Sequence, residues 1–358
     1  MAGASRTGVG IAGAGIGLAL GAGLGVFLLS PNIPGATSAD TSGATVASSE
    51  HESLEAKEQL AQRKAAAADE VVAASGQDII DGVLDEQPVL VLATADADED
   101  DVENVRASLQ RAGAIDSGLI NLSEKFFSQD GADELKTIVA NTLPAGTELS
   151  AENRDPGTHA GQALGAALTF AADTDTPNST TEDRALLLET LADAEYLDYE
   201  SGTILPGQAV VLVTGPGAVE GATGGSAEFV AKSQVAFARA LDEAGGATVV
   251  AGRAGDADAS NVVEQLRADD AATAAVSTID AVDQTWGRLA TVLAVAEQLN
   301  GASGAYGFID SADAVLPDHD AKSSAATAEG GSGNNDEDTG DDESAVESHT
   351  AHGHSANE

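Results

Sequence analysis

Residues Thr7 to Leu29 (TGVGIAGAGIGLALGAGLGVFLL) contain no charged side chain, and the nearest charges on either side are Arg6 and Asp40. A helix over these residues is about 34 Å long, enough for a bilayer core of about 30 Å. The apolar core of a secretory signal is shorter, about 7–15 residues, so the span predicts a retained single transmembrane anchor over residues 1–30. Thr37-Ser38-Ala39 offers a cleavage site as the alternative. Arg6 precedes the span and acids follow it, which places the bulk of the chain outside the cytoplasm. Gly13, Gly17, Gly21 and Gly25 recur every fourth residue, leaving one helix face as bare backbone. Such a face is a candidate oligomerisation surface; a general abundance of Gly and Ala in the span explains it equally well.

The chain after the anchor has a globular composition, with 42% apolar but only 3% aromatic residues. Its 59 Asp and Glu against 16 Lys and Arg give a formal charge of -43, which repels nucleic acid and favours cations. The same excess of acid also fits solvation at high salt. The absence of cysteine removes disulfides, thiolate catalysis and zinc-thiolate or iron–sulfur sites. Met1 is the single thioether, so a soft Cu(I) site within one chain has almost no ligands.

Residues 31–49 hold Pro31 and Pro34 among Gly, Ser and Thr and predict a flexible linker. Residues 50–84 are charged and alanine-rich with apolar residues near helical spacing, which predicts a surface helix or a weak coiled-coil segment. Strand and helix then alternate. Pro88–Ala93 is a continuously apolar run, as a strand covered on both faces requires. Asp98 to Asp101 stand at the start of a helix over Val102 to Ala112, where acids complement the dipole. A similar order returns about 121 residues later, from strand Ala209–Thr214 through a helix over Glu228 to Ala244. This predicts an α/β domain over 85–317, made of two similar βαβ-like halves (about 85–170 and 205–317) with parallel sheet or sheets, shared or apposed. Residues 318–358 lose apolar periodicity and predict a disordered acidic tail.

Several motifs approach a chemistry without completing it. Thr214-Gly215-Pro216-Gly217 to Gly221 follows a strand as a dinucleotide loop does, but the next helix is expected only near Glu228, leaving no helix start beside a phosphate. At the end of the second strand of that half, where an acid holds a ribose, stands Arg253. Asp96, Asp98 and Asp100 imitate a calcium loop, yet position six is Asp101 rather than Gly and position twelve is Ala107 rather than Glu. Helix capping accounts for these acids. His51 and His159 stand without a nucleophile or carboxylate partner and read as surface or packing residues. In the tail, His349, His352 and His354 follow the acidic runs Asp336–Asp338 and Asp341–Glu343 and form a candidate weak Cu(II) site, against a merely hydrophilic terminus. No catalytic residue and no other bound cofactor are expected.

The amino-terminal span, PVLVLATADADEDDVENVRASLQRAGA, LPAGTELSAENRDPGTHAGQALGAAL and above all VSTIDAVDQTWGRLATVLAVAEQLNGASGAYG resemble the copper-transport outer-membrane protein family of mycobacteria and corynebacteria, from the anchor to about residue 317. The resemblance implies a part in limiting intracellular copper and a pore-forming assembly in the envelope. It brings no catalytic or metal-ligating residue. Pro31, Pro34 and the short alanine-rich helix depart from the longer coiled coil of the family, and the His-bearing tail is not part of its pattern. An outer-membrane barrel needs about eight alternating strands with apolar outer faces, whereas these strands read as buried, and a single helix is no pore. The expectation is therefore a membrane-anchored cell-envelope protein, in the inner or outer membrane. It contributes to copper homeostasis as a homo-oligomer, takes copper or another cation as partner, and is not an enzyme. An envelope scaffold or partner-binding module without a metal role is the alternative.

Overall fold

The apolar run Pro88–Ala93 forms a strand, β1, in the computed structural model, which describes residues 43–171, 176–217, 226–255 and 261–318. A long helix α1 (Gly43–Ile80) precedes it, beginning within the stretch expected as linker. The first half continues with α2 (Glu99–Arg111), β2 (Ile115–Leu122), α3 (Glu124–Phe127), α4 (Ala132–Asn141), α5 (Pro156–Leu168), α6 (Thr181–Asp193) and β3 (Leu197–Tyr199). The second contains β4 (Ala209–Val213), α7 (Ala227–Glu243), β5 (Ala247–Ala251), α8 (Val262–Arg267), α9 (Asp270–Thr273), β6 (Ser277–Ile279), α10 (Thr285–Leu299) and β7 (Ala305–Tyr306). Of the sequence-level elements, the amino-terminal span with Gly13, Gly17, Gly21 and Gly25 lies outside the described residues, as does the tail with His349, His352 and His354. Among the described residues no helix is long and apolar enough to cross a membrane.

The two halves share one sheet, in the order β3-β2-β1-β4-β5-β6-β7. Pairing is parallel except where β3 runs antiparallel to β2. The central strands are buried on both faces, and successive residues point to opposite layers. Leu90, Leu92, Val210, Leu212 and Val250 enter one core with α3 to α9. Val89, Val91, Val211, Val213 and Val249 enter the other with the end of α1, α2 and α10. In the first core Phe126, Phe127, Tyr196 and Phe237 meet edge to face at centroid distances of 4.9–6.5 Å, a preferred geometry of aromatic pairs.

The tightest helix pairing uses a glycine row that the sequence reading passed over. Gly157, Gly161 and Gly165 line one face of α5 and lie directly on α7. A Cβ on Gly161 would fall 2.5 Å from the Phe237 carbonyl oxygen and 2.7 Å from the Ala240 Cβ. The small-residue spacing that brings membrane helices together serves here between two helices of a soluble core.

Helix α1 is about 57 Å long, and its last third holds it to the domain. Asp69 accepts hydrogen bonds from the Thr285 amide (2.9 Å) and hydroxyl (2.7 Å) at the start of α10. The N-cap residue of α10, Gln284, makes no side-chain cap of its own, so a carboxylate from another helix serves that end. Gly76 packs on Leu289 and Ile80 is buried, whereas Leu60 and Val71 are exposed.

At exposed helical sites Gly→Ala stabilises by about 1 kcal/mol. Gly161→Ala is expected to reverse that sign and destabilise the domain by roughly 1–3 kcal/mol through overpacking, read as a lower urea midpoint; an unchanged midpoint refutes the close α5–α7 contact. Burial pushes the Asp242 carboxyl up to about 6, with the Thr248 amide opposing and Glu243 adding to the rise. The folded state thus keeps this proton above the ordinary carboxyl value of about 4. The stabilisation linked to Asp242 is complete below that value and is lost as pH rises through 6. Asp242→Asn is expected to match the native chain at pH about 3.5 and exceed it by about 1–2 kcal/mol at pH about 7, allowing for partial exposure; equal stability at both pH values contradicts the shift.

Candidate functional site

In open sheets of this class, ligands enter the crevice at the carboxyl ends of the strands where the winding direction reverses. Here that point lies between β1 and β4, which pair in register from Val89↔Ala209 to Ala93↔Val213. Three loops meet over it: Thr94–Asp98 after β1, leading into α2, Thr214–Gly217 after β4 and Gly252–Gly255 after β5.

The chain's own atoms close this crevice. A Cβ on Gly215 would overlap the Asp96 carbonyl oxygen, so the β1 and β4 loops touch backbone to backbone. Thr94 Oγ1 donates to Asp96 Oδ1 at 2.6 Å, and its backbone amide donates to the Val213 carbonyl at 3.0 Å. The Thr214 hydroxyl is buried without a hydrogen-bond partner. It lies so close to Gly252 that a Cβ there would stand 2.6 Å from Thr214 Oγ1. Asn261 Nδ2 ties two loops together by donating to the Pro216 (3.2 Å) and Arg253 (2.9 Å) carbonyls.

Arg253 is the strap across the end of β4. Its Nε donates to Asp101 Oδ2 at 2.6 Å, and its Nη2 lies 3.1 Å from Asp98 Oδ2. The Asp101 hydrogen bond is the first cause of the upward shift of the Arg253 pKa, with the charges of Asp101, Asp98 and Asp283 adding to it. Asp98 is also the N-cap of α2, accepting from the Asp100 amide at 3.0 Å. Of the acids resembling a calcium loop, Asp98 is a helix cap and, with the adjoining Asp101, an anchor of Arg253, while Asp96 accepts from Thr94. Of the glycine loop, residues 215–217 are described and 218–221 are not, and α7 begins at Ala227 with Ser226 as its own cap.

Among the described residues no group of three His, Asp or Glu side chains is arranged for a metal ion. His159 is buried on α5 with Nε2 3.0 Å from the Ser150 carbonyl oxygen, a packing role. The Thr94 hydroxyl is engaged by the Asp96 carboxylate and the Thr214 hydroxyl is sealed in the interior. The sequence shows Arg253 at the end of its strand, but its partners come from the start of α2 some 150 residues earlier, beyond any local pattern.

Arg253→Met leaves the nearly buried Asp101 carboxylate unpaired and is expected to cost about 3 kcal/mol in urea unfolding. Adding Asp101→Leu to it should recover most of that loss. A single-variant cost below about 0.5 kcal/mol, the scale of an exposed pair, overturns the strap.

Comparison with known proteins completes the picture. The family model described as copper transport outer membrane protein, MctB, matches residues 6–317. Proteins named copper transporter MctB from Mycobacterium tuberculosis and Mycobacterium bovis are each 33% identical over 249 residues, spanning 69% of this chain and 78% of theirs. The protein of the same name from Mycobacterium leprae is 32% identical over 235 residues, 64% of this chain and 73% of its own. The chain therefore belongs to the MctB family of copper transport outer membrane proteins.

Proposed function

We propose that this chain is a membrane-anchored cell-envelope protein of copper homeostasis, that it acts without catalysing a reaction, and that it works as a homo-oligomer. The observation that carries the reading is the 33% identity over 249 residues to proteins named copper transporters. The charge of -43 supports it, because a strongly acidic surface concentrates cations. The closed crevice supports a non-enzymatic role, since the place where this fold class ordinarily takes a ligand is filled by Asp96, Gly215 and Arg253. Thr7 to Leu29 is the proposed anchor and its glycine row, Gly13, Gly17, Gly21 and Gly25, the proposed packing face. His349, His352 and His354 are the proposed Cu(II) ligands, a weak site of imidazoles alone.

Deletion of the gene is expected to raise intracellular copper and copper sensitivity, and the native chain to restore both; unchanged values sink the copper role. The same complementation with a chain ending at Asp320 separates the tail from the rest. Loss of Cu(II) binding in isothermal titration of that chain assigns the ligands to the tail, and full retention places them elsewhere. Crosslinking in membranes of Gly17→Leu with Gly21→Leu tests the glycine face, which persistence of the oligomer rules out.

A further inference from the structure

A second concavity lies away from the sheet edge, between α1, α2 and α10. It is a half-open groove of about 310 Å³, at the small end of ligand-sized pockets. Acids make up 59 of the chain's 358 residues, yet none of the eleven residues lining the groove is one. Two are arginines, Arg111 from α2 and Arg288 from α10.

Neither arginine is neutralised. Four other described arginines pair with carboxylates, Arg106 with Asp116, Arg239 with Asp269, Arg253 with Asp98 and Asp101, and Arg267 with Asp280, whereas Arg63, Arg154 and Arg184 form no such pair among the described residues but do not line this groove. Arg288 is instead held by neutral acceptors, the Val282 (3.3 Å) and Asp283 (3.0 Å) carbonyls and the Thr285 hydroxyl (2.9 Å). Its guanidinium is therefore fixed in place with no carboxylate in direct contact, the Asp69 carboxylate being one hydroxyl away through Thr285. Arg111 is exposed and reaches only the Ser108 hydroxyl, at 3.5 Å. Asn104 and Gln77 add uncharged hydrogen-bonding groups, and Val72, Ile80 and Leu289 supply an apolar floor.

We propose that this groove binds a small soluble amphipathic anion, a carboxylate or phosphate head on a short apolar body. The head meets Arg111 and Arg288, whose planar forks suit bidentate oxyanions, and the body lies on Val72, Ile80 and Leu289. The volume suits one short chain and excludes the two acyl chains of a membrane lipid. The walls are already fixed by the Asp69–Thr285 cap, so little ordering is needed on binding. This site is independent of the copper reading.

The test is thermal unfolding and isothermal titration of the full chain in nonionic detergent with hexyl phosphate, hexanoate and hexylammonium. The two anions are expected to bind and raise the melting temperature, and hexylammonium to do neither. Arg111→Glu, at an exposed position, is expected to weaken hexyl phosphate about tenfold or more without lowering the melting temperature of the free protein. Val72→Trp, which fills the floor, is expected to abolish binding. Equal response to hexylammonium, binding that survives both substitutions, or no response to any anion overturns the proposal. Tighter binding of dihexanoyl phosphatidylglycerol than of hexyl phosphate overturns it in favour of a lipid ligand.

Discussion

The parallel ladder between β1 and β4 is the constraint on which the rest of this molecule depends. It joins strands far apart in sequence, and each is covered on both faces, so neither half has a complete core alone. From this ladder β2 and β3 extend one way and β5 to β7 the other. Helix α2 therefore lies on one face and α7 on the other, as same-handed crossovers leaving a common boundary in opposite directions require. The reversal also sends the loops after β1 and β4 apart, which creates the crevice. In this chain Gly215 and Asp96 then close it, and Arg253 bridges over the top.

Scarcity of cations gives each arginine a defined use. Arg267 is the extreme case: its guanidinium donates to the Asp280 carboxylate, the Thr278 hydroxyl and carbonyl, and the Tyr306 carbonyl, with both charged side chains essentially buried. Asp280 is satisfied in turn by the Phe308 (3.0 Å) and Ile309 (3.3 Å) amides. A Cβ on Gly307 would overlap that carboxylate, so only glycine permits the approach. Saturated in this way, the pair avoids the large penalty of an isolated buried charge and orders the short strands β6 and β7, which have few ladder hydrogen bonds of their own. Arg111 and Arg288 have no such acid in contact, and two of them sharing one groove is what singles that groove out.

Much of the sheet was legible in the sequence, because continuous apolar runs such as Pro88–Ala93 and Ala209–Val213 have few other folded solutions. The bounds of α4 could be read directly, since Gly131 and Pro144 frame an amphipathic run. Strand β3 was not legible: Leu197–Tyr199 is three residues long, and its pairing with β2 is set by tertiary contacts. The row Gly157, Gly161 and Gly165 has the same fourfold spacing as Gly13 to Gly25, but in a soluble helix glycine reads first as a weakness, and its benefit appears only once α7 is in place. At the crevice, the glycine loop, the helix-capping acids and Arg253 are each visible in the sequence. The long-range pairing that makes the three one structure is not. The groove was invisible because Arg111 and Arg288 are unremarkable alone and draw together only through packing of α2 and α10.

Helix α1 connects these themes. Its last third supplies Asp69 to the open end of α10, Ile80 to the core and Val72 and Gly76 to the groove wall. The cap satisfies backbone amides that Gln284 leaves unserved, so α1 is part of the domain's hydrogen-bond economy and not an appendage. A displacement of α1 along or away from α10 would break a charge-assisted cap and open one wall of the groove in the same movement. Occupancy of the groove and docking of α1 are thus coupled by geometry, and by linkage whatever favours one favours the other.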